Sequence, residues 1–121
     1  MDVYVSEMAQ SKVAVISSDG ILISNVQDAL DLMATIRYQY ACDKMVLPKS
    51  AIAERFFDLK TRMAGDILQK YTNYQVKIAV VGDFEIYGSK SLRDFIYKSN
   101  MGSQVFFLPT EEAAVKKLHC V

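Results

Sequence analysis

The chain has 121 residues, of which 51% are hydrophobic and 23% are charged, a composition typical of one globular domain with one core. Fourteen basic and fourteen acidic side chains cancel to a net charge of zero, so the basic footprint that neutralises nucleic-acid phosphates is missing. The longest strongly apolar stretch, Ile78–Val81, is far shorter than the roughly twenty residues that a membrane-spanning helix needs. We therefore expect a single domain over residues 1–121 that binds no nucleic acid and has no membrane span.

The first residues of the chain and its cysteines lead us to expect a cytoplasmic location. The first residues lack the basic and apolar regions of a secretory signal. Cys42 and Cys120 lie far apart and outside any C-x-x-C spacing, so we expect reduced thiols and no disulfide.

The first third of the chain predicts a hairpin followed by a helix. Two short β-rich segments, Val3–Val5 and Lys12–Ile16, flank a polar pair, which is typical of an antiparallel hairpin. Ser24, with Gln27 three residues later, predicts a capping box. Apolar residues at helical spacing then predict a first helix from about Asn25 to Tyr40.

The middle of the chain predicts a buried strand and a second helix. The apolar run Met45–Leu47 is stopped by Pro48, as expected of a buried strand that ends at a loop. Large apolar residues then recur at helical spacing over 56–71, and Asp58 and Arg62 stand four apart as a pair of opposite charges on one helix face. The second helix is therefore expected to begin near Phe57.

The last third of the chain predicts two more strands, each followed by a helix. Val76–Val81 and Val105–Leu108 are apolar runs typical of buried parallel strands. Ser91 and Asp94 are candidate caps for a third helix, and Thr110 for a fourth. The order is therefore β-β-α-β-α-β-α-β-α, which predicts an α/β domain with a mixed, mostly parallel five-stranded sheet, because helical crossovers join parallel strands.

This order and size resemble the SpoIIAA-like fold of sulfate-transporter and anti-sigma-factor-antagonist domains over nearly the whole chain. Three segments look more closely like a bacterial family classed as a domain of unknown function: Phe56–Thr61, Val80–Phe84 and Ser89–Ile96. The first resemblance implies an interaction or regulatory role, and the second names no activity. In the antagonist family a phosphorylatable serine follows an aspartate, whereas here Asp58 is followed by Leu59, so the resemblance does not extend to that switch.

The loop after the fourth strand carries the richest set of polar residues. Ligands of open α/β sheets bind outside the carboxyl ends of the strands, near a switch in strand order, and free N–H groups at a helix start favour anions. If the second helix begins near Phe57, charged residues from its first turn join this edge. The candidate ligand-binding residues are Asp58, Lys60, Asp83, Tyr87, Ser89, Lys90, Ser91 and Arg93. The alternative is that Ser89 or Ser91 only caps the helix and the charges form a solvated ion-pair network.

No residue pattern predicts a catalytic group, a metal site or a cofactor. His119 is the only histidine and lies next to Cys120 near the end of the chain, where fraying is expected. A zinc site needs about four nitrogen or sulfur ligands, and the phosphate-binding and nucleophile motifs are absent.

Two hypotheses of function follow. The first is a non-enzymatic protein-interaction or regulatory module that binds a partner protein or forms a homo-oligomer through the carboxyl edge of the sheet and the helix from Asp58 onward. The second is a protein that binds a small anion, with or without turnover, at the loop Asp83–Ser91.

Overall fold

Strands and helices alternate in the predicted order. The structure is a computed structural model that describes residues 1–121. Its strands are β1 (Asp2–Met8), β2 (Ser11–Ser17), β3 (Lys44–Pro48), β4 (Lys77–Val81) and β5 (Val105–Leu108). Its helices are α1 (Val26–Tyr40), α2 (Met63–Asn73), α3 (Lys90–Asn100) and α4 (Glu111–His119). None of them has the length and apolar character needed to cross a membrane.

The five strands form one mixed sheet in the order β1-β2-β3-β4-β5. β1 pairs antiparallel with β2, and every later neighbour pair is parallel, with Met45 opposite Ile78 and Ile78 opposite Val105. The predicted hairpin and the predicted mostly parallel sheet are both confirmed. Because β3, β4 and β5 run the same way, their carboxyl ends open on one edge.

The helices cover the two faces of the sheet unequally. Residues of α1, α2 and α3 pack into the larger core of 25 buried residues on one face. Ala114 and Leu118 of α4 pack into a separate core of seven residues on the other face. Since the strand order follows the chain order throughout, the sheet has no reversal of strand order. Ligand binding at the carboxyl edge therefore stays a prediction, without a switch in strand order beside it.

The second helix begins later than the sequence predicted. The chain from Lys49 to Thr61 forms three short 3-10 turns, and α2 begins only at Met63, after Arg62 adopts a left-handed backbone with φ of 63°. The Asp58 carboxylate accepts a hydrogen bond from the Lys60 N–H at 3.2 Å instead of pairing with Arg62. Tertiary contacts override the helical periodicity here, since Phe56 and Phe57 are both buried in the larger core.

Some of the candidate helix caps were wrong, namely Ser24 for α1 and Ser91 and Asp94 for α3. Asn25, and not Ser24, caps α1 by accepting the Asp28 N–H at 2.8 Å, while the Ser24 N–H donates to the Asp28 carboxylate. Ser89 caps α3 by accepting the Leu92 N–H at 3.2 Å, so Ser91 and Asp94 lie inside that helix. Thr110 caps α4 as predicted.

His119, near the end of the chain, makes side-chain contacts that the sequence did not predict. The imidazole Nε2 lies 2.9 Å from the Ser6 hydroxyl, and Nδ1 lies 2.8 Å from the Ser11 hydroxyl. The end of α4 is therefore tied to both strands of the hairpin, and Lys44 joins by donating to Ser11 at 3.1 Å.

Tyr71 connects α2 to α1 and generates a stability prediction. Its side chain is fully buried, and its hydroxyl donates to the Ala29 carbonyl at 2.7 Å. Tyr71→Phe keeps the ring and removes this bond, so we expect a loss of about 1 kcal/mol in the free energy of unfolding, measured by urea denaturation. The control is Tyr38→Phe, at a side chain that is 92% exposed. Equal stabilities of the two variants would contradict the assignment.

Candidate functional site

The carboxyl edge of the sheet brings together three residues that directly follow strands. Lys49 follows β3, Gly82 follows β4 and Pro109 follows β5. The Gly82 N–H donates to the Leu108 carbonyl at 3.1 Å, which continues the sheet pairing one residue beyond β4. We call this edge, with the segments 49–61 and 82–89 that surround it, the rim.

A polar cluster of Lys49, Glu54 and Tyr87 occupies one side of the rim. Lys49 Nζ lies 3.0 Å from Glu54 Oε1, and the Tyr87 hydroxyl donates to Glu54 Oε2 at 2.8 Å. The Tyr87 ring stacks on the Phe57 ring with centroids 5.4 Å apart, and Lys49 Nζ lies 5.0 Å from the Tyr87 centroid. The Lys49 side chain is only 17% exposed, so its charge is satisfied within the cluster.

The cluster changes the pKa of each of its members. The hydrogen bond from Lys49, joined by that from Tyr87, lowers the pKa of Glu54 although burial acts the other way. Burial acts to lower the pKa of Lys49, but the interactions with Tyr87 and Glu54 outweigh it and raise that pKa. Burial and the neighbouring Glu54 carboxylate raise the pKa of Tyr87. At neutral pH the cluster therefore holds an ion pair and a neutral tyrosine.

A cleft of about 570 Å³ opens on the other side of the rim, above β4 and β5. The Phe84 ring packs edge-on against the Phe107 ring, with centroids 5.4 Å apart, and Ile96 of α3 completes an apolar floor. Asp83 and Glu85 are exposed and stand at the mouth. No lysine or arginine lines this cleft. It is therefore suited to an apolar group that carries, or lies beside, a positive charge.

Only two of the predicted site residues lie in the cluster or the cleft. Tyr87 belongs to the cluster, and Asp83 lines the cleft while its carboxylate accepts the Glu85 N–H at 3.0 Å. Ser89 caps α3, and Lys90, 82% exposed, pairs with Asp94 at 3.2 Å.

Of the remaining candidates, only Asp58 and Lys60 contact each other, through the hydrogen bond from the Lys60 N–H to the Asp58 carboxylate. Asp58 caps a 3-10 turn, and Lys60, Ser91 and Arg93 are exposed. No hydrogen bond or ion pair joins the side chains of any two of the predicted site residues. The reading of Ser89 as a helix cap is confirmed, and ligand binding by this set stays a prediction.

Sequence reasoning missed Lys49, Glu54, Phe57 and the apolar floor of the cleft. A usable signal existed, because Lys49 follows Pro48 at the end of a predicted strand and Gly82 follows the next strand. Residues at the ends of adjacent parallel strands meet. Glu54 carried no such signal, since the segment that positions it was expected to lead into a helix.

Gly82 generates a prediction about how closely the rim is packed. A Cβ at position 82 would lie 2.7 Å from Cβ of Lys49, an atom fixed by the backbone. Gly82→Ala is therefore expected to destabilise the protein by about 1–3 kcal/mol through overpacking, measured by urea denaturation. The matched control is Gly88→Ala, because nothing lies within 4 Å of a Cβ there. A Gly82 variant as stable as the Gly88 variant would refute the close approach.

The cluster also generates a prediction about pH. Because the pKa of Glu54 is lowered in the folded state, its contribution to stability is present above the ordinary carboxyl pKa and is lost as the pH falls through the lowered value. Lys49→Met removes the largest cause, so the pKa of Glu54, followed by side-chain NMR, should rise. Lys60→Met, at an exposed lysine, should leave it unchanged. An identical titration of Glu54 in both variants would rule out the coupling.

Comparison with known families finds a matching family whose function is unknown. The family model described as "Domain of unknown function (DUF4180)" matches residues 8–118. The resemblance of the three segments to a domain of unknown function is thereby confirmed. No curated protein and no solved structure matches the chain.

Proposed function

The chain belongs to the DUF4180 family, a domain of unknown function, and we propose that it is a non-enzymatic protein-interaction or regulatory module of the cytoplasm. In this proposal the rim cleft docks a segment of a partner protein. The segment carries an apolar side chain that enters the cleft and a lysine or arginine beside it.

The composition of the cleft is the observation that carries this proposal. Its floor is formed by Phe84, Ile96 and Phe107, and its mouth by the carboxylates of Asp83 and Glu85. Energetically important protein contacts combine a desolvated apolar anchor in a pocket with polar groups at the rim. Ile86, which follows Glu85 in the chain, is 63% exposed and adds an apolar side chain to the same loop. The surface is thus suited to contact further residues of the peptide beside the one that anchors it in the cleft.

Electrostatics favour this occupant over a small anion. Asp83 and Glu85 repel a negative charge at the cleft, and the partly buried ammonium of Lys49 is already paired with Glu54. The first turn of α3 is capped by Ser89, and Lys90 is paired with Asp94. Binding of an anion at the loop Asp83–Ser91, with or without turnover, is therefore the second candidate and a distinct outcome of the test below.

The resemblance to anti-sigma-factor-antagonist domains supports the regulatory part of the proposal. The described fold has the same hairpin at the start of the sheet, followed by alternating helices and strands. Fold likeness alone is an analogy, whereas the cleft offers residues whose chemistry can select a partner.

A displayed library of random peptides tests the proposal. We expect the immobilised protein to enrich peptides in which an aliphatic or aromatic residue stands next to a lysine or arginine. Glu85→Lys reverses one charge at the mouth of the cleft, and its carboxylate has no hydrogen-bond partner within the protein. Binding of a selected synthetic peptide to this variant, measured by calorimetry, should weaken by about tenfold or more.

The control for that experiment is Asp31→Lys, which makes the same change of charge on the exposed side of α1 and should leave the affinity unchanged. Enrichment of no peptide, or equal loss of affinity in both variants, would remove the cleft as a docking site. Enrichment of acidic peptides, or thermal stabilisation of the protein by inorganic phosphate or nucleotides, would favour the anion hypothesis instead.

A further inference from the structure

The two edge strands of the sheet differ in whether their outward backbone groups are hydrogen-bonded. On the outer side of β5, the side chain of Asn100 accepts the Phe107 N–H at 2.7 Å and donates to the Phe107 carbonyl at 3.1 Å. This amide satisfies the outward backbone groups at the centre of a four-residue strand. β1 is longer, with seven residues, and no side chain or backbone group forms hydrogen bonds with the outward N–H and carbonyl groups of this strand.

The hairpin register identifies the unpaired groups of β1. Met8 pairs with Ser11 across a two-residue turn, so these two residues exchange their backbone hydrogen bonds. Alternation along an antiparallel strand then turns the N–H and carbonyl groups of Val3, Val5 and Glu7 away from β2. These three residues present a ladder of donors and acceptors to a further strand.

β1 carries few of the usual protections of an edge strand, and its charged residues are Asp2 and Glu7. It contains no proline, lysine or bulge, and each of its residues pairs with a residue of β2 in unbroken register. Tyr4 and Met8, which are 53% and 61% exposed, point to the same face of this strand. A long edge with exposed apolar side chains is suited to pairing with another strand.

A groove of about 490 Å³ runs between β1 and α4 and carries opposite charges at its two ends. Glu111, whose carboxylate accepts a hydrogen bond from the Tyr4 hydroxyl at 3.0 Å, and Glu112 lie at the start of the helix. Lys116 lies on the same groove one helical turn later. The apolar walls between these ends come from Tyr4, Met8 and Val115.

We propose that β1 pairs antiparallel with β1 of a second copy of this chain, about a two-fold axis that passes through Val5. In that register Val5 pairs with Val5 of the second copy, and Val3 pairs with Glu7. All outward N–H and carbonyl groups of both strands are then used, and two five-stranded sheets become one sheet of ten strands.

Charge complementarity argues for a second copy as the occupant. The two-fold axis reverses the direction of α4, so the glutamates of each copy face the end of the groove that carries Lys116 in the other. The two grooves merge above the paired strands, and the Tyr4 and Met8 side chains of both copies are enclosed between the helices. The rim cleft lies on other segments of the chain, so this proposal stands independently of the proposed function.

Sedimentation velocity and hydrogen exchange of the full chain test the dimer. We expect the mass of two chains at high concentration and a reversible shift towards one chain on dilution. The amides of Val3, Val5 and Glu7 should exchange at least about tenfold more slowly in the dimer than in the dilute monomer. A single chain at every soluble concentration, with rapid exchange of these amides, would overturn the proposal.

Two kinds of variant locate the interface. Val5→Pro removes an outward N–H without breaking a bond to β2 and is expected to give a monomer, with its fold checked by circular dichroism. Lys116→Glu and Glu112→Lys, each alone, place like charges opposite each other and should weaken dimerisation by about tenfold or more. The double variant restores the complementarity and should recover most of the affinity.

The matched control is Lys98→Glu, which changes the charge of an exposed lysine on α3, near the other edge of the sheet. It should dimerise as the unmodified chain does. A dimer that survives both Val5→Pro and Lys116→Glu, or a double variant weaker than either single one, would show that the copies meet elsewhere.

Discussion

The parallel pairing of β3, β4 and β5 in chain order is the constraint on which the rest of the structure depends. The central residues of these strands are buried on both faces, from Met45–Leu47 through Ile78–Val80 to Val105–Phe107. Right-handed crossovers in a single direction place α1, α2 and α3 on one face, which leaves the second face to be covered by α4 alone. The same pairing aligns the strand ends, so Lys49, Gly82 and Pro109 meet at one rim.

Covering one face with a single helix has a consequence at the start of the sheet. Ala114 and Leu118 cover the apolar residues of β2 to β5, and β1 lies beyond the side of the helix, with a groove between them. The bonds of His119 to Ser6 and Ser11 attach the end of α4 to the hairpin beside this groove. The open edge of β1 thus follows from the uneven distribution of helices and not from weak pairing within the hairpin.

Strands and the order of elements could be predicted from the sequence, whereas the site could be predicted only in part. Short apolar runs bounded by Pro48, Gly82 and Pro109 have few alternatives to buried strands, and helix crossovers then impose parallel pairing. The segment before α2 misled the prediction, because Phe56 and Phe57 are buried through contacts with distant residues that no local period reports. Asp58 and Thr61 complete its turns with hydrogen bonds that compete with a helix. The partners of Lys49 could not be found without that geometry.

Local charge decides what the rim can bind, although the whole chain is neutral. Lys49 crosses above Gly82, and only a glycine there leaves room for its stem, so the ammonium reaches Glu54 and Tyr87 instead of the cleft. The positive charge of Lys49 is paired with the carboxylate of Glu54, while Asp83 and Glu85 have no cationic partner. The cleft next to the cluster therefore keeps a negative mouth over an apolar floor. The sequence predicted an anion site at the loop Asp83–Ser91, but the lysine of that loop, Lys90, pairs with Asp94, and no lysine lines the cleft.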